Sequence, residues 1–380
     1  MTETPTRCYL LAHQGSRDLE RDVEEHLKEL AELTSACGME AVGQQHLKRP
    51  QVEARTFFGK GQLEGAAANA RRLQATVLIC DNELSGSQVR NIEKATGLTC
   101  LDRTGLILSI FEQRAQSREA KAQVELARYE YELPRLKGAW THLERQVGGV
   151  GVRGGPGETQ IEVDRRMTRV RISQLKKELE HLERVRETQR LGRGPGLPRV
   201  CLVGYTNAGK TSLLKALTGE GEPKDMLFAT LDTTTRKAWL GDDAETGMPR
   251  QVLVSDTVGF IRKLPHQLVA AFRSTLGEVR TADSLLVVAD AASPELEDHL
   301  KVVSATLDEI GCGDLPRLLI LNQIDRLTRP QRLDLKRLHP SAAQTCALTR
   351  DGLDDVRGWL LELIPGPPKP REREEWELPL

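Results

Sequence analysis

Strand-like and helix-like segments alternate from residue 7 to residue 102 of the chain. The strand-like segments are residues 7–11, 41–46, 75–80 and 98–102. The segments with apolar positions at helical spacing are residues 18–35, 62–73 and 87–95. Strands that alternate with helices are typical of a parallel sheet covered by helices. We therefore predict a small N-terminal α/β domain with a largely parallel sheet over residues 1–103.

The spacing of apolar positions changes to that of long helices over residues 104–192. In each half, apolar residues recur at alternating steps of four and three. They are Ala122, Leu126, Tyr129, Leu133 and Leu136 in the first half, and Ile172, Leu175, Leu179 and Leu182 in the second. A glycine-rich segment at residues 148–157 joins the two halves. The pattern predicts an antiparallel helical hairpin with a glycine-rich tip.

Strand-like runs at residues 200–203, 251–254 and 318–321 have the length of buried strands. Helix-like stretches lie between and after them, so residues 199–364 are predicted to be a doubly wound α/β domain. Glycine and proline mark residues 193–198 as a linker. Residues 365–380 are rich in proline and charge and are predicted to be a disordered tail.

A phosphate-binding loop is predicted between the apolar run at 200–203 and a helix-like stretch. It consists of Gly204, Tyr205, Thr206, Asn207, Ala208, Gly209, Lys210 and Thr211. Its glycines let several backbone N–H groups point at one anion, and the following helix adds the positive end of its dipole. We expect Lys210 to reach the β and γ phosphates and the Thr211 hydroxyl to bind Mg2+. The alternative is a strand-to-helix turn that matches by chance.

Two further segments follow in the order that a GTPase requires. They are Phe228, Ala229, Thr230, Leu231 and Asp232, in a polar stretch, and Asp256, Thr257, Val258 and Gly259, after the strand-like run at 251–254. Thr230 is expected to be a second Mg2+ ligand. Asp256 is expected to hold the Mg2+ shell and the Gly259 amide to sense the γ phosphate. With Lys210, these three residues are the predicted catalytic set.

Two later segments predict guanine as the base. They are Asn322, Gln323, Ile324 and Asp325, and then Cys346, Ala347 and Leu348. The Asp325 carboxylate is suited to accept from guanine N1–H and the exocyclic amine, a donor pair that adenine lacks. The Ala347 amide is expected to donate to guanine O6. The predicted ligands are therefore GTP and GDP.

Two positions depart from the usual GTPase motifs. Gln323 stands where the Asn-Lys-x-Asp motif has a lysine that covers the base and braces the phosphate loop, so we expect retained guanine choice with weaker binding. Phe260 follows Gly259, where Ras-like enzymes have a glutamine that orients the attacking water. We therefore expect slow intrinsic hydrolysis that waits for a partner.

The composition agrees with a protein of the cytoplasm. The chain has 380 residues, of which 39% are hydrophobic, and no run approaches the length of a membrane span. We expect neither a signal nor a transit peptide, and we expect a monomer. The seven cysteines form no Cys-x-x-Cys pair and the eight histidines show no ligand spacing, so disulfide and metal frameworks find no support.

The net charge of −1 hides a basic segment at residues 134–193, with 14 Lys and Arg against 8 Asp and Glu. A glycine-rich tip flanked by arginines suits penetration into folded RNA, where shape and phosphates are recognised. The alternatives are a solvated helix face and a loop without a function. The candidate RNA contacts are Arg145, Gly148, Gly149, Gly151, Arg153, Gly154, Gly155, Gly157, Arg165 and Arg166.

Taken together, these motifs closely resemble the HflX-type ribosome-associated GTPases. The most specific is the tip motif, Gly-Gly-Pro-Gly-Glu-Thr-Gln at residues 154–160 with Asp-Arg-Arg at 164–166. The other matching segments are residues 58–61, 101–105, 110–111, 114–115, 123–127, 133–136, 204–210, 228–232 and 256–261. The resemblance spans about residues 7–364.

The resemblance implies a GTPase that binds the large ribosomal subunit and its rRNA, splits or rescues stalled ribosomes, and is linked to stress such as heat. It also implies entry of the hairpin and N-terminal domain into the subunit interface, and hydrolysis stimulated by the large subunit. The predicted cofactor, Mg2+, follows from the motifs that contain Thr211, Thr230 and Asp256. Some members have an ATP-dependent activity ascribed to the N-terminal domain. The chain departs from the family at Gln323, in an extra glycine at Gly154-Gly155, and in ending after the G domain, where many relatives have a further domain.

Two other functions fit the sequence less well. One is a ribosome- or rRNA-binding module for assembly or dormancy, with weak nucleotide dependence. The other is a metabolic ATPase that uses the hairpin for oligomerisation. Equal binding of large subunits by the GTP and GDP forms would favour the first, and preference for ATP would favour the second.

Overall fold

The computed structural model describes residues 5–138, 160–191, 197–220, 227–228, 230–242, 248–263 and 277–363. The chain packs into two compact units. The first contains the chain up to Gln189 together with two later segments, Met226–Leu231 and Lys263–Ser274. The second contains Arg190–Asp225, Asp232–Arg262 and Thr275–Leu380.

The first unit is built on a parallel sheet of four strands, as the alternating pattern predicts. The strands are β1 (Thr6–Gln14), β2 (Met39–Lys48), β3 (Val77–Cys80) and β4 (Thr99–Asp102), in the order β2-β1-β3-β4. The helices of this part are α1 (Glu20–Ala36), α2 (Lys60–Arg72), α3 (Gly86–Thr96) and α4 (Arg103–Arg114). Leucines of α1 and alanines of α2 bury their apolar faces in the core, as amphipathic helices on a sheet must.

A buried ion cluster lies where β3 and β4 end. Arg103, the first residue of α4, donates from Nη1 to Asp81 Oδ1 at 2.7 Å and from Nη2 to Glu29 of α1. The Lys263 ammonium also bonds Asp81. Burial alone would raise the pKa of the Asp81 carboxyl, but the Arg103 and Lys263 charges hold that pKa below its ordinary value.

Two long helices extend the first unit, α5 (Arg118–Glu132) and α6 (Gln160–Leu191). Ala122 and Leu126 of α5 pack on Leu175 of α6, at positions of the predicted seams. Arg118 pairs with Glu178, and Arg171 pairs with Glu125, so the numbering descends on one helix as it ascends on the other. The helices are therefore antiparallel. The predicted tip at residues 148–157 lies outside the described residues.

The second unit has a six-stranded sheet with helices on its faces. The strands are β5 (Arg199–Gly204), β6 (Thr234–Asp242), β7 (Pro249–Asp256), β8 (Ser284–Asp290), β9 (Arg317–Asn322) and β10 (Ala343–Gln344), in the order β10-β9-β8-β5-β7-β6. All neighbouring strands are parallel except the antiparallel pair β6 and β7. The helices are α7 (Lys210–Thr218), α8 (Gly277–Arg280), α9 (Leu296–Glu309), α10 (Arg329–Leu338) and α11 (Leu353–Leu363).

This sheet positions the predicted motifs. The carboxyl ends of β5, β7, β8 and β9 meet at one edge of the sheet, which is where ligands bind in doubly wound folds. The phosphate loop follows β5, Asp256 ends β7, and Asn322 ends β9. The predicted tail at residues 365–380 and most of the predicted linker at 193–198 lie outside the described residues.

Three further observations concern the cysteines, possible metal-binding groups and possible membrane-spanning helices. All seven cysteines are buried and are not in disulfides. Within the described ranges, no group of three or more His, Cys, Asp and Glu side chains could hold a metal ion. None of the helices that the structure describes is long and apolar enough to cross a membrane.

Candidate nucleotide-binding site

The phosphate loop turns from β5 into α7 in the conformation that its glycines allow. Gly209 caps α7 with φ +87°, and a Cβ there would lie 2.3 Å from Asn322 Nδ2. Lys210 is buried, and its Nζ donates to the carbonyls of Gly204 at 3.1 Å and Tyr205 at 2.8 Å. Burial lowers the pKa of the Lys210 ammonium to about 8, although the Asp256 carboxylate acts in the opposite direction. The Lys210 side chain therefore folds back onto the backbone carbonyls of its own loop.

The Thr211 hydroxyl and the Asp256 carboxylate meet beneath this loop. Thr211 Oγ1 donates to Asp256 Oδ2 at 2.6 Å. Asp256 is itself buried at the end of β7, and the next residue, Thr257, donates from its hydroxyl to the Leu202 carbonyl of β5 at 2.7 Å. A hydroxyl beside a carboxylate is a pair of hard oxygen donors of the kind that Mg2+ prefers. These residues therefore fit the metal that the sequence predicts.

The segment after Asp256 is hydrogen-bonded to the phosphate loop. Phe260 N donates to the Gly204 carbonyl at 3.0 Å, and Thr206 N donates to the Phe260 carbonyl at 2.8 Å. The Phe260 ring is buried. A Cβ on Gly259 would lie 2.7 Å from Thr206 Cα, so only glycine permits this approach. The Gly259 amide, predicted to sense the γ phosphate, is thus held beside the loop.

A polar network also holds the same segment, and all of its members except Tyr205 lie outside the sequence motifs. Arg262 N donates to the Tyr205 hydroxyl at 2.9 Å, and the Arg262 guanidinium pairs with Glu295 at 2.8 Å. Glu295 also bonds His299 at 3.1 Å, and the His299 ring stacks on Tyr205 with centroids 3.8 Å apart. The aromatic Tyr205 inside a glycine motif was the one sequence signal for this cluster.

The predicted base-binding segments, which follow β9 and β10, also contact the phosphate loop. Asn322 is buried, and its Nδ2 donates to the Ala208 carbonyl at 3.1 Å. Its Oδ1 accepts from Ala347 N at 3.1 Å and from the Thr345 hydroxyl at 3.3 Å. The Ala347 amide, predicted to donate to guanine O6, therefore has Asn322 as its partner here.

Gln323 reaches the phosphate loop despite its departure from the usual lysine. Its backbone has φ +64°, and its Nε2 donates to the Asn207 carbonyl at 3.2 Å. Asp325 is exposed, so a bound base would itself supply the burial that makes an unpaired carboxylate costly. Among the remaining predicted contacts, Ile324 and Cys346 are buried and Leu348 is exposed.

The other predicted site residues are distributed as follows. Phe228, Thr230 and Leu231 belong to the first unit, where the Phe228 ring packs edge-on against Phe111 with centroids 4.7 Å apart. Asp232 belongs to the second unit. Arg165 and Arg166 lie on α6. The predicted residues outside the described part of the chain are Ala229, Arg145, Gly148, Gly149, Gly151, Arg153, Gly154, Gly155 and Gly157.

Three family models match successive parts of the chain. They describe a GTP-binding GTPase N-terminal region at residues 24–112, a GTP-binding GTPase middle region at 114–193, and a 50S ribosome-binding GTPase at 199–323. The GTPase HflX of Caldanaerobacter subterraneus subsp. tengcongensis is 47% identical over 306 residues, which are 80% of this chain and 70% of that protein. The chain belongs to the HflX family of GTPases.

Other comparisons agree with membership of the HflX family. The GTPase HflX of Magnetococcus marinus is 44% identical over 93% of this chain and 81% of its own length. A crystal structure of SsGBP in complex with GDP is 28% identical with a TM-score of 0.51, over 94% of this chain and 98% of that one. This HflX-family chain is therefore a GTP hydrolase with a phosphate-loop fold, as its motifs predict.

Proposed function

We propose that this HflX-family GTPase binds the large ribosomal subunit and uses GTP binding and hydrolysis to split or rescue stalled ribosomes under stress. The observation that carries this proposal is the buried Phe260 ring at the position after Gly259. A phenyl ring cannot hydrogen-bond a water, so this residue does not orient the nucleophile as a glutamine does. A partner that supplies or orders the missing group is then required for fast turnover, and the match to a 50S ribosome-binding GTPase model supports the large subunit as that partner.

In this proposal the phosphate loop binds the triphosphate and water attacks the γ phosphorus, which releases GDP and inorganic phosphate. The Lys210 ammonium leaves the Gly204 and Tyr205 carbonyls for the β and γ phosphate oxygens. Thr211 and Thr230 supply the hydroxyls that would hold Mg2+, and Asp256 holds its shell. When bound, the metal neutralises charge that develops on the phosphate oxygens. The Gly259 amide donates to the γ phosphate.

Guanine choice in this proposal depends on Asn322 and Asp325. Asn322 fixes the base loop to the phosphate loop through Ala208, so the base and the phosphates are positioned together. Asp325 accepts from two guanine donors. Adenine would leave that carboxylate covered and unpaired, which disfavours ATP.

The hairpin is the proposed contact with rRNA. Arg166 and Arg169 are exposed on α6, the helix that follows the predicted tip. Arginine binds phosphates through paired donors, and contacts to phosphates provide much of the affinity for folded RNA. Residues 148–157, with Arg145, Arg165 and Arg166, are the proposed contact set, acting in the cytoplasm as a monomer.

The test is steady-state hydrolysis of GTP by the full chain, alone and with purified large ribosomal subunits, with ATP in parallel at the same salt. The expected result is slow hydrolysis alone and strong, GTP-selective stimulation by large subunits. Splitting is then followed as loss of 70S particles in the presence of GTP. No stimulation would contradict the proposal, and equal subunit binding by the GTP and GDP forms would favour a module for assembly or dormancy.

A charge reversal on α6 separates rRNA contact from general electrostatics. Arg166→Glu is expected to reduce stimulation by large subunits and to leave hydrolysis without ribosomes unchanged. Arg184→Glu is the matched control, because it lies on the exposed surface of the same helix, about 27 Å further along. Equal effects of the two variants would refute a contact near the tip.

A further inference from the structure

A short polar relay leads from the end of β8 to the phosphate loop of the second unit. Asp290, the last residue of β8, accepts from Ala292 N at 2.8 Å through Oδ1 and from Arg326 Nη1 at 3.0 Å through Oδ2. Arg326 Nη1 also donates to Gln323 Oε1 at 2.7 Å. Gln323 Nε2 donates to the Asn207 carbonyl at 3.2 Å. Three hydrogen bonds therefore connect Asp290 to the predicted phosphate loop, and the bond from Ala292 N fixes Asp290 itself.

Local geometry brings Gln323 and Arg326 to the same side of their turn. Residues Ile324–Arg326 form a single 3-10 turn, which Gln323 caps with φ +64°. Arg326 N donates to the Gln323 carbonyl at 3.1 Å. Side chains three residues apart eclipse one another in a 3-10 helix. The two side chains are therefore neighbours because of the backbone.

The chemistry of the arginine decides which way the carboxamide faces. A carboxamide has an acceptor at one end and donors at the other, so a reversed Gln323 would put its oxygen against the Asn207 carbonyl. A guanidinium has donors only. Gln323 Oε1 must then face Arg326, and Nε2 must face Asn207. A lysine would need no such help, because an ammonium donates in every orientation.

The bond to Asn207 matters for the phosphates because a peptide unit is planar. The C=O and N–H of a trans peptide point in opposite directions. Holding the Asn207 carbonyl outward therefore turns the Ala208 N–H inward. There the Ala208 nitrogen donates to the Tyr205 carbonyl oxygen at 3.3 Å. Asn322 does the same for the next peptide by holding the Ala208 carbonyl. Gln323 and Asn322 thus fix two successive peptide units of the loop.

We propose that Arg326, anchored by Asp290, is a positioning residue for nucleotide binding, which fixes the Gln323 carboxamide so that glutamine replaces the usual lysine as the brace of the phosphate loop. The inference concerns the nucleotide site alone, so it stands or falls separately from the ribosomal role. Its consequence is that residues 290, 323 and 326 act as one unit. Removing Arg326 should matter only while residue 323 is a carboxamide.

The experiment measures dissociation constants of fluorescent GDP and GTP analogues for the full chain, with kcat and thermal unfolding in the absence of nucleotide. Arg326→Ala is expected to weaken binding of both nucleotides about three- to tenfold, the loss of one hydrogen bond, and to leave kcat and the unfolding temperature unchanged. Asp290→Asn is expected to shift binding in the same direction by a smaller factor. Arg337→Ala, which removes an arginine paired with Asp334 on the surface of α10, is the control and is expected to change nothing.

A double-mutant cycle gives the decisive result. In a Gln323→Lys background, Arg326→Ala is expected to have no further effect, because the ammonium donates to Asn207 without being oriented. If that background does not fold, Gln323→Ala is used, in which Arg326 has no carboxamide to orient. An Arg326→Ala effect that is as large in either background as in the natural chain overturns the proposal. So does a change in the unfolding temperature without a change in nucleotide affinity, or an effect no larger than that of Arg337→Ala.

Discussion

The Thr211 hydroxyl donates to Asp256 Oδ2 at 2.6 Å, which joins the first turn of α7 to the end of β7. The two residues are 45 positions apart in sequence, and the adjacent parallel strands β5 and β7 bring them together. The Thr211 hydroxyl thus has the buried Asp256 carboxylate as a hydrogen-bond partner. The two residues proposed to hold Mg2+ and its shell are therefore hydrogen-bonded to each other in this structure.

Replacing Thr211 with valine should remove the Mg2+-dependent part of nucleotide affinity. Valine keeps the shape of threonine but has no hydroxyl, so it can neither bind the metal nor pair with Asp256. We expect binding of GTP to weaken about tenfold or more in Mg2+ and to change little in EDTA. The matched control is Thr218→Val, whose hydroxyl bonds the Leu214 carbonyl at the other end of α7. An equal loss in EDTA would show that Thr211 acts through the fold and not through the metal.

The close approach of β5 and β8 makes Gly204 a stability position as well as a phosphate-loop position. A Cβ at Gly204 would lie 2.1 Å from the Val288 carbonyl oxygen, and the residue has φ +154°. Gly204→Ala is expected to cost about 3 kcal/mol of unfolding free energy, because a backbone atom cannot move aside. Gly219→Ala, at φ +80° with open space around it, should cost about 1 kcal/mol. Urea unfolding checks the order of the two, and a smaller loss at Gly204 would contradict this account.

Most of the strands of both sheets could be predicted from the sequence, in several cases because the strand contains a short apolar run with a polar boundary. The run at 75–80 gives β3 and that at 318–321 gives most of β9. The order of the strands and the antiparallel edge strand β6 were not predictable in this way. Register and neighbourhood depend on contacts between distant segments, which no local pattern contains.

The polar contacts of the buried ion cluster and of the nucleotide-binding site could not be predicted from local sequence either. Arg103 begins a helix, where a charged residue is usually exposed, yet it is buried because its partners come from positions 22 and 74 residues away. Gln323 reads as the loss of a lysine in its motif. Its left-handed backbone and its bond to Asn207 depend on the turn and on a loop 116 residues earlier. A motif gives the residue types at its own positions. The burial of Arg103 and the orientation of Gln323 depend on partners that lie far away in the sequence.

Asp325→Asn should reduce the preference of the site for guanine. Asparagine presents a donor where guanine has donors, so one of the two bonds from the base is lost and its groups remain unpaired. We expect GTP binding to weaken about tenfold or more while ATP binding changes little. Competition between unlabelled GTP and ATP for a bound fluorescent guanine nucleotide measures the ratio. Asp334→Asn, an exposed carboxylate on α10, serves as the control, and an unchanged ratio in Asp325→Asn would contradict the role of Asp325 in choosing guanine.

The ion cluster of the first unit should make stability depend on pH in acid. Arg103 and Lys263 hold the pKa of Asp81 below its ordinary value of 3.8, against the opposing effect of burial. The folded state therefore binds a proton at Asp81 less readily than the unfolded state does. The stability that Asp81 contributes is fully present above its ordinary pKa and is lost as the pH falls through the lowered pKa of the folded state.

Replacing Asp81 with asparagine tests this cluster directly. At pH 6 the variant should lose about 3 kcal/mol of unfolding free energy, because Arg103 stays buried with one of its charge partners removed. At pH 3 the difference between the natural chain and the variant should shrink, since at that pH the unfolded natural chain binds a proton at Asp81 more readily than the folded chain does. Glu64→Gln breaks an exposed pair with Lys60 on α2 and is expected to cost less than about 1 kcal/mol at pH 6. Urea unfolding of the natural chain, Asp81→Asn and Glu64→Gln at both pH values measures these free energies. A difference between the natural chain and Asp81→Asn that is larger at pH 3 than at pH 6 would contradict the lowered pKa of Asp81.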